Sequence, residues 1–182
     1  MNKTLVSRKE RYETNLDLYE TPSEVTEKLL TRLDLDEDSL VLEPANGMGA
    51  ISNIIKKWGY KCDTFDIREG VDFLAIKNNP KYDAVITNPP YRFAREFVEK
   101  ALLQVKDGGK VIMLLRLSFL EGKSRYHFFR DTGLKTVIIS CGRITMFPFG
   151  QEIPKNKGTL AYAWYIWEKG FKGEPKIEWF NN

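Results

Sequence analysis

Short apolar runs alternate with segments of helical periodicity along most of this sequence. Six runs are typical of buried strands, at 40–42, 60–66, 82–87, 110–117, 135–140 and 159–167. Apolar residues at helical spacing occupy 51–58, 93–102 and 124–130, and an earlier helix is predicted to bury Val25, Leu29, Leu30 and Leu33. Because strands that alternate with helices usually pair in parallel, this order predicts an α/β domain built on a parallel sheet.

The length and composition fit one globular domain. The 182 residues suffice to cover a sheet on both faces, and 42% of them are hydrophobic, which supplies a core. No apolar stretch is long enough to span a membrane, and the charged N-terminus lacks the apolar segment of a signal peptide, so we expect a cytoplasmic protein. The net charge of +3 neither demands nor opposes a nucleic-acid partner.

The two cysteines and the single histidine predict no metal site. Cys62 and Cys141 lie in separate strand-like runs without a paired motif, which indicates neither a disulfide framework nor a zinc site. His127 lies among aromatic residues, where a structural role is the simpler interpretation. The chemistry of this chain is therefore expected to depend on other residues.

A rigid turn follows the most regular of the predicted strands. Asn88-Pro89-Pro90-Tyr91 comes directly after 84–87, at the carboxyl end of a strand, where open α/β sheets bind their ligands. Two consecutive prolines fix φ and remove two N–H donors, which leaves carbonyl oxygens and the Asn88 amide to face a ligand. Such a turn can hold a flat amino group while Tyr91 packs on its ring. The simpler interpretation is a strand-end turn with a packed tyrosine.

A glycine-containing loop and an acid follow the first two strands of the predicted sheet. Gly47 and Gly49 lie just after 40–42, without the third glycine of a dinucleotide fingerprint. Asp66 ends the next strand, at close to the roughly 20-residue spacing of a carboxylate that binds ribose. A solvated strand-end charge is the other interpretation of Asp66. Since no phosphate-binding loop is present, an adenosine-containing cofactor without phosphates fits best, which favours S-adenosylmethionine.

Two further segments bear on the site. Thr21-Pro22-Ser23-Glu24 predicts a helix start in which Thr21 caps the helix and Glu24 completes a capping box. The connection between the last two predicted strands, 141–158, is too long for a tight hairpin, so we expect it to be functional or disordered.

In these motifs and in their order, the sequence resembles the amino-methyltransferases that methylate adenine N6. The resemblance covers residues 19 to about 167, and 163–170 is similar to compact methylases of phages and prophages. The matching motifs are Tyr19-Glu20-Thr21-Pro22, Leu42-Glu43-Pro44-Ala45-Asn46-Gly47-Met48-Gly49, Asp66, Asp72-Phe73 and Asn88-Pro89-Pro90-Tyr91.

The resemblance implies a single-domain, Rossmann-like class I methyltransferase fold. Its sheet would have seven mostly parallel strands with an antiparallel last strand, and helices on both faces. We expect an N-terminal arm at 1–18, a catalytic domain at 19–170, and a tail at 171–182 that packs on the domain or extends it. Little of the chain is left for a separate target-recognition domain, so target specificity would come from short loops or from a partner.

The resemblance also assigns roles to residues. It places the cofactor's methionine part along Glu43, Pro44, Ala45, Asn46, Gly47 and Gly49, with Tyr19 and Thr21 near the same end. Asp66 would bind the ribose hydroxyls, Asp72 the adenine amino group, and Phe73 the adenine ring, although a polar turn beside a core aromatic also explains Asp72 and Phe73. Asn88, Pro89, Pro90 and Tyr91 would form the catalytic turn.

The implied reaction is direct, in-line methyl transfer from S-adenosylmethionine to the N6 amino group of adenine. A base in duplex DNA must be flipped out to reach the turn, where it would stack on Tyr91, with Phe147 as a candidate second face and Arg143 nearby. Cytosine C5 methylation needs a cysteine beside the site, and neither cysteine is in the turn. Scattered cations are candidates for phosphate contacts: Arg92, Arg95, Arg116, Lys123, Arg125, Arg130 and Arg143.

DNA is favoured as the substrate. RNA is the alternative, because similar proline turns also occur in enzymes that resemble this chain but methylate RNA. Protein glutamine is a third class, since release-factor methylases resemble this chain in the turn. A module that binds the cofactor or nucleic acid without turnover is the alternative outside catalysis.

Overall fold

The structure is a computed structural model that describes residues 19–148 and 160–181. At residues 147 and 148 it describes the backbone alone. The strands are β1 (Tyr19–Glu20), β2 (Leu40–Glu43), β3 (Lys61–Thr64), β4 (Tyr82–Thr87), β5 (Val105–Arg116), β6 (Leu134–Ser140), β7 (Phe147–Pro148), β8 (Tyr162–Glu168) and β9 (Lys176–Phe180). The α-helices are α1 (Ser23–Leu30), α2 (Ser52–Lys57), α3 (Ala94–Leu102) and α4 (Tyr126–Asp131).

Seven strands form one sheet in the order β3-β2-β4-β5-β8-β6-β9. The pairs β3–β2, β2–β4, β4–β5 and β6–β9 are parallel, whereas β8 runs antiparallel between β5 and β6. β8 is the last of the six runs predicted from the sequence, so the predicted α/β fold with a mostly parallel sheet and one reversed strand is confirmed. Separately, β1 pairs antiparallel with β7 in a two-stranded ribbon.

Helices cover both faces of the sheet, as predicted. α1 and α2 pack with Val41, Ile86 and Trp164 on one face, and α3 and α4 pack with Val85 and Trp167 on the other. Both tryptophans are fully buried, and burial of a side chain of this size contributes about 2 to 3 kcal/mol. Each indole N–H also finds an acceptor, Val25 O at 3.2 Å for Trp164 and Thr132 Oγ1 at 3.1 Å for Trp167. The core therefore fixes the sheet that carries the site.

Two local expectations differ from the structure. Helix α1 begins at Ser23 without a side-chain cap, because Thr21 is buried and bonded elsewhere. Strand β5 begins at Val105, before the predicted run 110–117: Val105 pairs with Tyr82, and regular pairing resumes at Lys110. The seventh strand of the sheet, β9, lies within 171–182 and pairs parallel with β6.

One-turn 3-10 helices follow several strands at the carboxyl edge of the sheet or in the connections beyond it. They are Ile67–Glu69, Phe73–Ala75, Tyr91–Phe93, Leu117–Leu120 and Lys123–Arg125. Among the described residues, no helix has the length and apolar character needed to cross a membrane.

Candidate active site

A cleft lies at the carboxyl ends of β2, β3 and β4, under the ribbon strand β1. All residues predicted to bind the cofactor line it except Gly49: Tyr19, Thr21, Glu43, Pro44, Ala45, Asn46, Gly47, Asp66, Asp72 and Phe73. Asn88 and Pro90 of the proline turn line the same cleft. Residues that are distant in sequence therefore meet at the edge where open α/β sheets bind ligands.

The glycine loop turns sharply after β2. Gly47 and Gly49 have φ of 55° and 85°, a region that residues with a Cβ rarely adopt. The Gly49 N–H donates to Asn46 O at 2.8 Å, and the Ser52 hydroxyl donates to the Asn46 side chain at 2.6 Å. Gly49 thus closes the turn behind the cleft, which explains why it does not line the cleft itself.

Asp66 ties the glycine loop to the end of β3. Its carboxylate accepts from the Gly47 N–H at 2.8 Å and from three nitrogens of Arg68, the backbone N, Nε and Nη2, at 2.9, 2.8 and 3.1 Å. Burial raises the pKa of Asp66, but the hydrogen bonds from Arg68 and Gly47 outweigh burial and hold that pKa below its ordinary value. Asp66 is therefore a buried, ionised group and not a solvated strand-end charge.

The Arg68 side chain occupies acceptor positions that a cofactor ribose would need. A carboxylate offers about four lone-pair sites, and Asp66 already meets four donors. Two of these donors belong to the Arg68 guanidinium, whose side chain is 29% exposed. A ligand that hydrogen-bonds to Asp66 must therefore displace the guanidinium, which the flexible side chain permits.

Glu43 is a buried acid at the base of the cleft. Its Oε1 accepts from the Ala45 N–H at 2.9 Å and from the Thr87 hydroxyl at 2.5 Å, whereas its buried Oε2 has no hydrogen-bond partner among the described residues. Burial raises the pKa of Glu43 to about 8, against the lowering effect of these hydrogen bonds. The carboxyl is therefore largely protonated at neutral pH.

The raised pKa of Glu43 predicts a pH dependence of stability that Glu43→Gln removes. The folded protein holds this proton more tightly than the unfolded chain, so its contribution to the free energy of unfolding is complete below pH 4.5 and is lost as pH rises to about 8. At about 1.4 kcal/mol for each pH unit, the loss is on the order of 4 kcal/mol. Urea unfolding of both proteins at pH 4.5 and pH 8 measures it. Parallel pH curves for the two proteins would contradict the assignment.

Asp72 and Phe73 begin the 3-10 helix after the loop that follows β3. Asp72 Oδ1 accepts from the Leu74 N–H at 3.0 Å, and the buried Phe73 ring packs 5.2 Å from the ring of Phe97. Both residues have the structural role that the simpler interpretation expects. Both also line the cleft, so a planar ligand can contact them.

The proline turn is held to the cleft by a long-range hydrogen bond. The Asn88 amide nitrogen donates to Thr21 Oγ1 at 3.2 Å, across 67 positions of the sequence. Thr21 is buried and also lines the cleft. The Asn88 side chain is thus anchored through its nitrogen, and the residue lines the cleft.

Tyr91 faces a second cavity beside the turn. This cavity, named here the arginine cavity, is lined by Tyr91, Arg92, Ala94, Leu115, Arg116, Ser118, Phe119 and Arg125. The Tyr91 ring lies 4.9 Å from the Arg116 guanidinium carbon and 6.0 Å from the Tyr162 ring. Asn88 and Pro90 thus face one cavity and Tyr91 the other, with the turn between them.

Two other residues, Arg143 and Phe147, were predicted to bind substrate. Arg143 is exposed in the loop after β6. The Phe147 backbone pairs with Glu20, which brings its segment to the ribbon beside the cleft, but its side chain lies outside the described residues. Its role as a second face for a base stays a prediction.

Several residues of the cleft were not identified from the sequence. They are Glu20, Met48, Ala50, Ile51, Ile67, Arg68, Val71 and Phe97. Ile67 directly follows Asp66, and Phe97 lies on the inner face of α3. These positions could have predicted from the sequence that both residues line the cleft. The contact between Arg68 and Asp66 depends on the geometry of the turn, and the sequence pattern does not predict it.

The cysteines lie apart from the cleft. Burial raises the pKa of the Cys62 thiol to about 12, and Cys141 is exposed after β6. Neither residue lines the cleft or the arginine cavity. Within 19–148 and 160–181, no group of three or more His, Cys, Asp or Glu side chains could hold a metal ion.

No protein-family model matches the sequence, and no curated protein does either. Solved structures do match. A protein from Listeria monocytogenes, provisionally named a class I S-adenosylmethionine-dependent methyltransferase, is 13% identical with a TM-score of 0.57, over 92% of this chain and 67% of that one. One from Pyrococcus horikoshii, provisionally named an RNA methyltransferase, is 17% identical with a TM-score of 0.60, over 85% and 89%.

The M protein of the type I restriction enzyme EcoKI is 14% identical with a TM-score of 0.59, over 91% of this chain and 49% of its own. The present chain thus spans about half of that protein. At these identities the likeness shows the fold, and the fold is the Rossmann-like one of class I methyltransferases.

Proposed function

We propose that this protein transfers a methyl group from S-adenosylmethionine to the exocyclic N6 amino group of adenine, with DNA as the favoured substrate. Residues 19–170 form the catalytic domain in this proposal. One observation carries it: Asn88 and Pro90 of the proline turn line the same cleft as Glu43, Asp66 and Asp72. The group that would hold the methyl acceptor and the groups that would hold the donor therefore share one space.

The cleft fits the proposed cofactor. Phe73, Ile67 and Val71 supply apolar surface for a flat ring, and Asp66 and Asp72 supply carboxylates in the same cleft. The glycine loop, which is bonded to Asp66, lets the backbone come close to a ligand. When bound, S-adenosylmethionine supplies a methyl group activated by the neighbouring sulfonium.

Asn88 acts on the acceptor amine in the proposed mechanism. The lone pair of an exocyclic amine is delocalised into its ring, and hydrogen bonds to the Asn88 oxygen and the Pro89 carbonyl favour the more nucleophilic, pyramidal nitrogen. These acceptors also stabilise the positive charge that develops on the amine, so they bind the transition state more tightly than the substrate. The rigid turn fixes both acceptors before the base arrives.

Two features support a nucleic-acid substrate. Tyr91 ends the turn that begins at Asn88, and it offers a ring on which an extruded base can stack. The neighbouring cavity carries three arginines, which suits a phosphodiester backbone. Since the described residues contain one α/β domain, a partner protein is one source of target specificity in this proposal.

A methylation assay tests the proposal. The purified protein is incubated with methyl-labelled S-adenosylmethionine and duplex DNA, single-stranded DNA, total RNA or protein, and mass spectrometry identifies the modified residue. We expect N6-methyladenine in DNA, and Asn88→Ala protein serves as the control.

Each other product has a definite meaning. N6-methyladenine in RNA alone would keep the chemistry and change the substrate, and methylglutamine would exclude a nucleic-acid enzyme. Cofactor binding without any product would favour a binding module, and the absence of cofactor binding would refute the proposal.

A further inference from the structure

One arginine that lines the arginine cavity, Arg116, forms no ion pair with the described residues. Three of its lining residues are arginines, one is Ser118, and none is acidic. Arg116 ends β5 one strand away from the proline turn, since β4 and β5 are neighbours in the sheet. The cavity therefore lies directly beside the residues proposed to hold the target base.

Arg116 has unmet hydrogen-bonding capacity. Its Nε is buried and has no partner within 19–148 and 160–181, and no described residue forms a salt bridge with its guanidinium. Burial of a charged donor without an acceptor is costly, so the guanidinium lacks a partner that the described residues do not supply. A guanidinium binds carboxylates and phosphates through two parallel hydrogen bonds, so an anion suits the Arg116 side chain.

Arg125 in the same cavity differs from Arg116. Its guanidinium donates to the carbonyls of Phe119, at 3.2 Å, and Glu121, and it lies 4.8 Å from the centre of the Phe119 ring. Arg125 therefore closes the turn that shapes the cavity wall. Arg116 instead packs on Tyr91, with its guanidinium carbon 4.9 Å from the ring centre.

We propose that Arg116 binds a backbone phosphate of the nucleic-acid strand next to the base that stacks on Tyr91. The inference rests on the proposed function, because it assumes that Tyr91 receives a base. A phosphate is separated from its base by one sugar, so a cation in contact with the Tyr91 ring is within reach of the phosphates that flank that nucleotide. Arg116 then orients the strand by its backbone and reads no sequence.

The test uses Arg116→Met, which keeps an apolar stem on Tyr91 and removes the charge. The probe is a short single-stranded DNA with one adenine among thymines. We expect its affinity to fall about tenfold and the slope of log affinity against log salt to become shallower by about one. Arg32→Met is the matched control, since Arg32 is exposed after α1 and its guanidinium bonds only to Thr31 Oγ1 and Lys28 O among the described residues.

Neutral methylphosphonates locate the contact. The flanking phosphates are replaced one at a time. At one position the replacement should weaken binding to the wild-type protein. At that same position it should leave the affinity of Arg116→Met unchanged. Equal penalties for both proteins at every position would overturn the inference, as would an unchanged salt slope. Unchanged affinity of Arg116→Met for S-adenosylmethionine shows that the variant is folded, and Arg116→Lys should bind the DNA with intermediate affinity.

The two proposals fail in different ways. If the wild-type protein methylates the adenine but Arg116→Met behaves like Arg32→Met, the phosphate contact is wrong and the proposed function stands. If the wild-type protein neither binds nor methylates nucleic acid, both are wrong.

Discussion

Asn88→Ala is expected to lower kcat for methyl transfer by about 10²- to 10³-fold, the usual effect of removing one group that stabilises charge in a transition state. The variant loses the amide oxygen proposed to accept from the target amine, whereas the Pro89 carbonyl and the cleft remain. The affinity for S-adenosylmethionine should stay within a few-fold of the wild-type value. Steady-state methylation kinetics and calorimetric titration of the cofactor measure the two quantities.

Variants of Thr21 test whether the orientation of the amide matters. Thr21→Val keeps the shape of the side chain and removes the acceptor of the Asn88 N–H, so kcat should fall less than in Asn88→Ala, and Thr21→Ser should restore it. Adding Thr21→Val to Asn88→Ala should have no further effect on kcat, because the two residues act through one hydrogen bond. Asn79→Ala, at an exposed loop position, is the matched control. Wild-type kcat in Asn88→Ala would refute the catalytic assignment.

The fold was largely predictable because its signals are local. Buried parallel strands are continuous apolar runs, and β4 was predicted with its observed bounds, Tyr82–Thr87. β9 gave a weaker signal, since Ile177 and Trp179 are exposed at 54% and 62% and Phe180 alone in that strand is buried. An edge strand of this kind lacks the apolar run from which the others were recognised.

The positions of candidate site residues were predictable where a local motif fixes the backbone. They were not predictable where a contact joins two segments that are distant in sequence. The positions of Gly47 and Asp66 follow from strand ends, which parallel pairing brings together. Thr21 shows the limit. Its local pattern predicts a helix cap, but tertiary packing directs its hydroxyl to Asn88 and leaves α1 without a side-chain cap. A cap contributes about 1 kcal/mol to a helix, which the buried contacts of α1 can offset.

Asp66→Ala is expected to weaken S-adenosylmethionine binding by about 100-fold, since it removes the charged acceptor proposed for two ribose hydroxyls. Hydrogen bonds to a charged group contribute about 1.5 to 3 kcal/mol each. It also leaves the Gly47 N–H without its acceptor, which loosens the glycine loop. Calorimetric titration measures the affinity, and thermal unfolding shows how much of the change comes from the loop.

Arg68→Met separates the two effects of Asp66. This variant keeps the carboxylate and its bond to Gly47 but removes the guanidinium that a ribose must displace, so the cofactor should bind as tightly as to the wild-type protein or up to about tenfold more tightly. If Arg68→Met instead lost binding to the same extent as Asp66→Ala, the arginine and not the carboxylate would hold the ligand. Wild-type affinity in Asp66→Ala would exclude Asp66 from the cofactor site, and with it the assignment of this end of the cleft to the ribose.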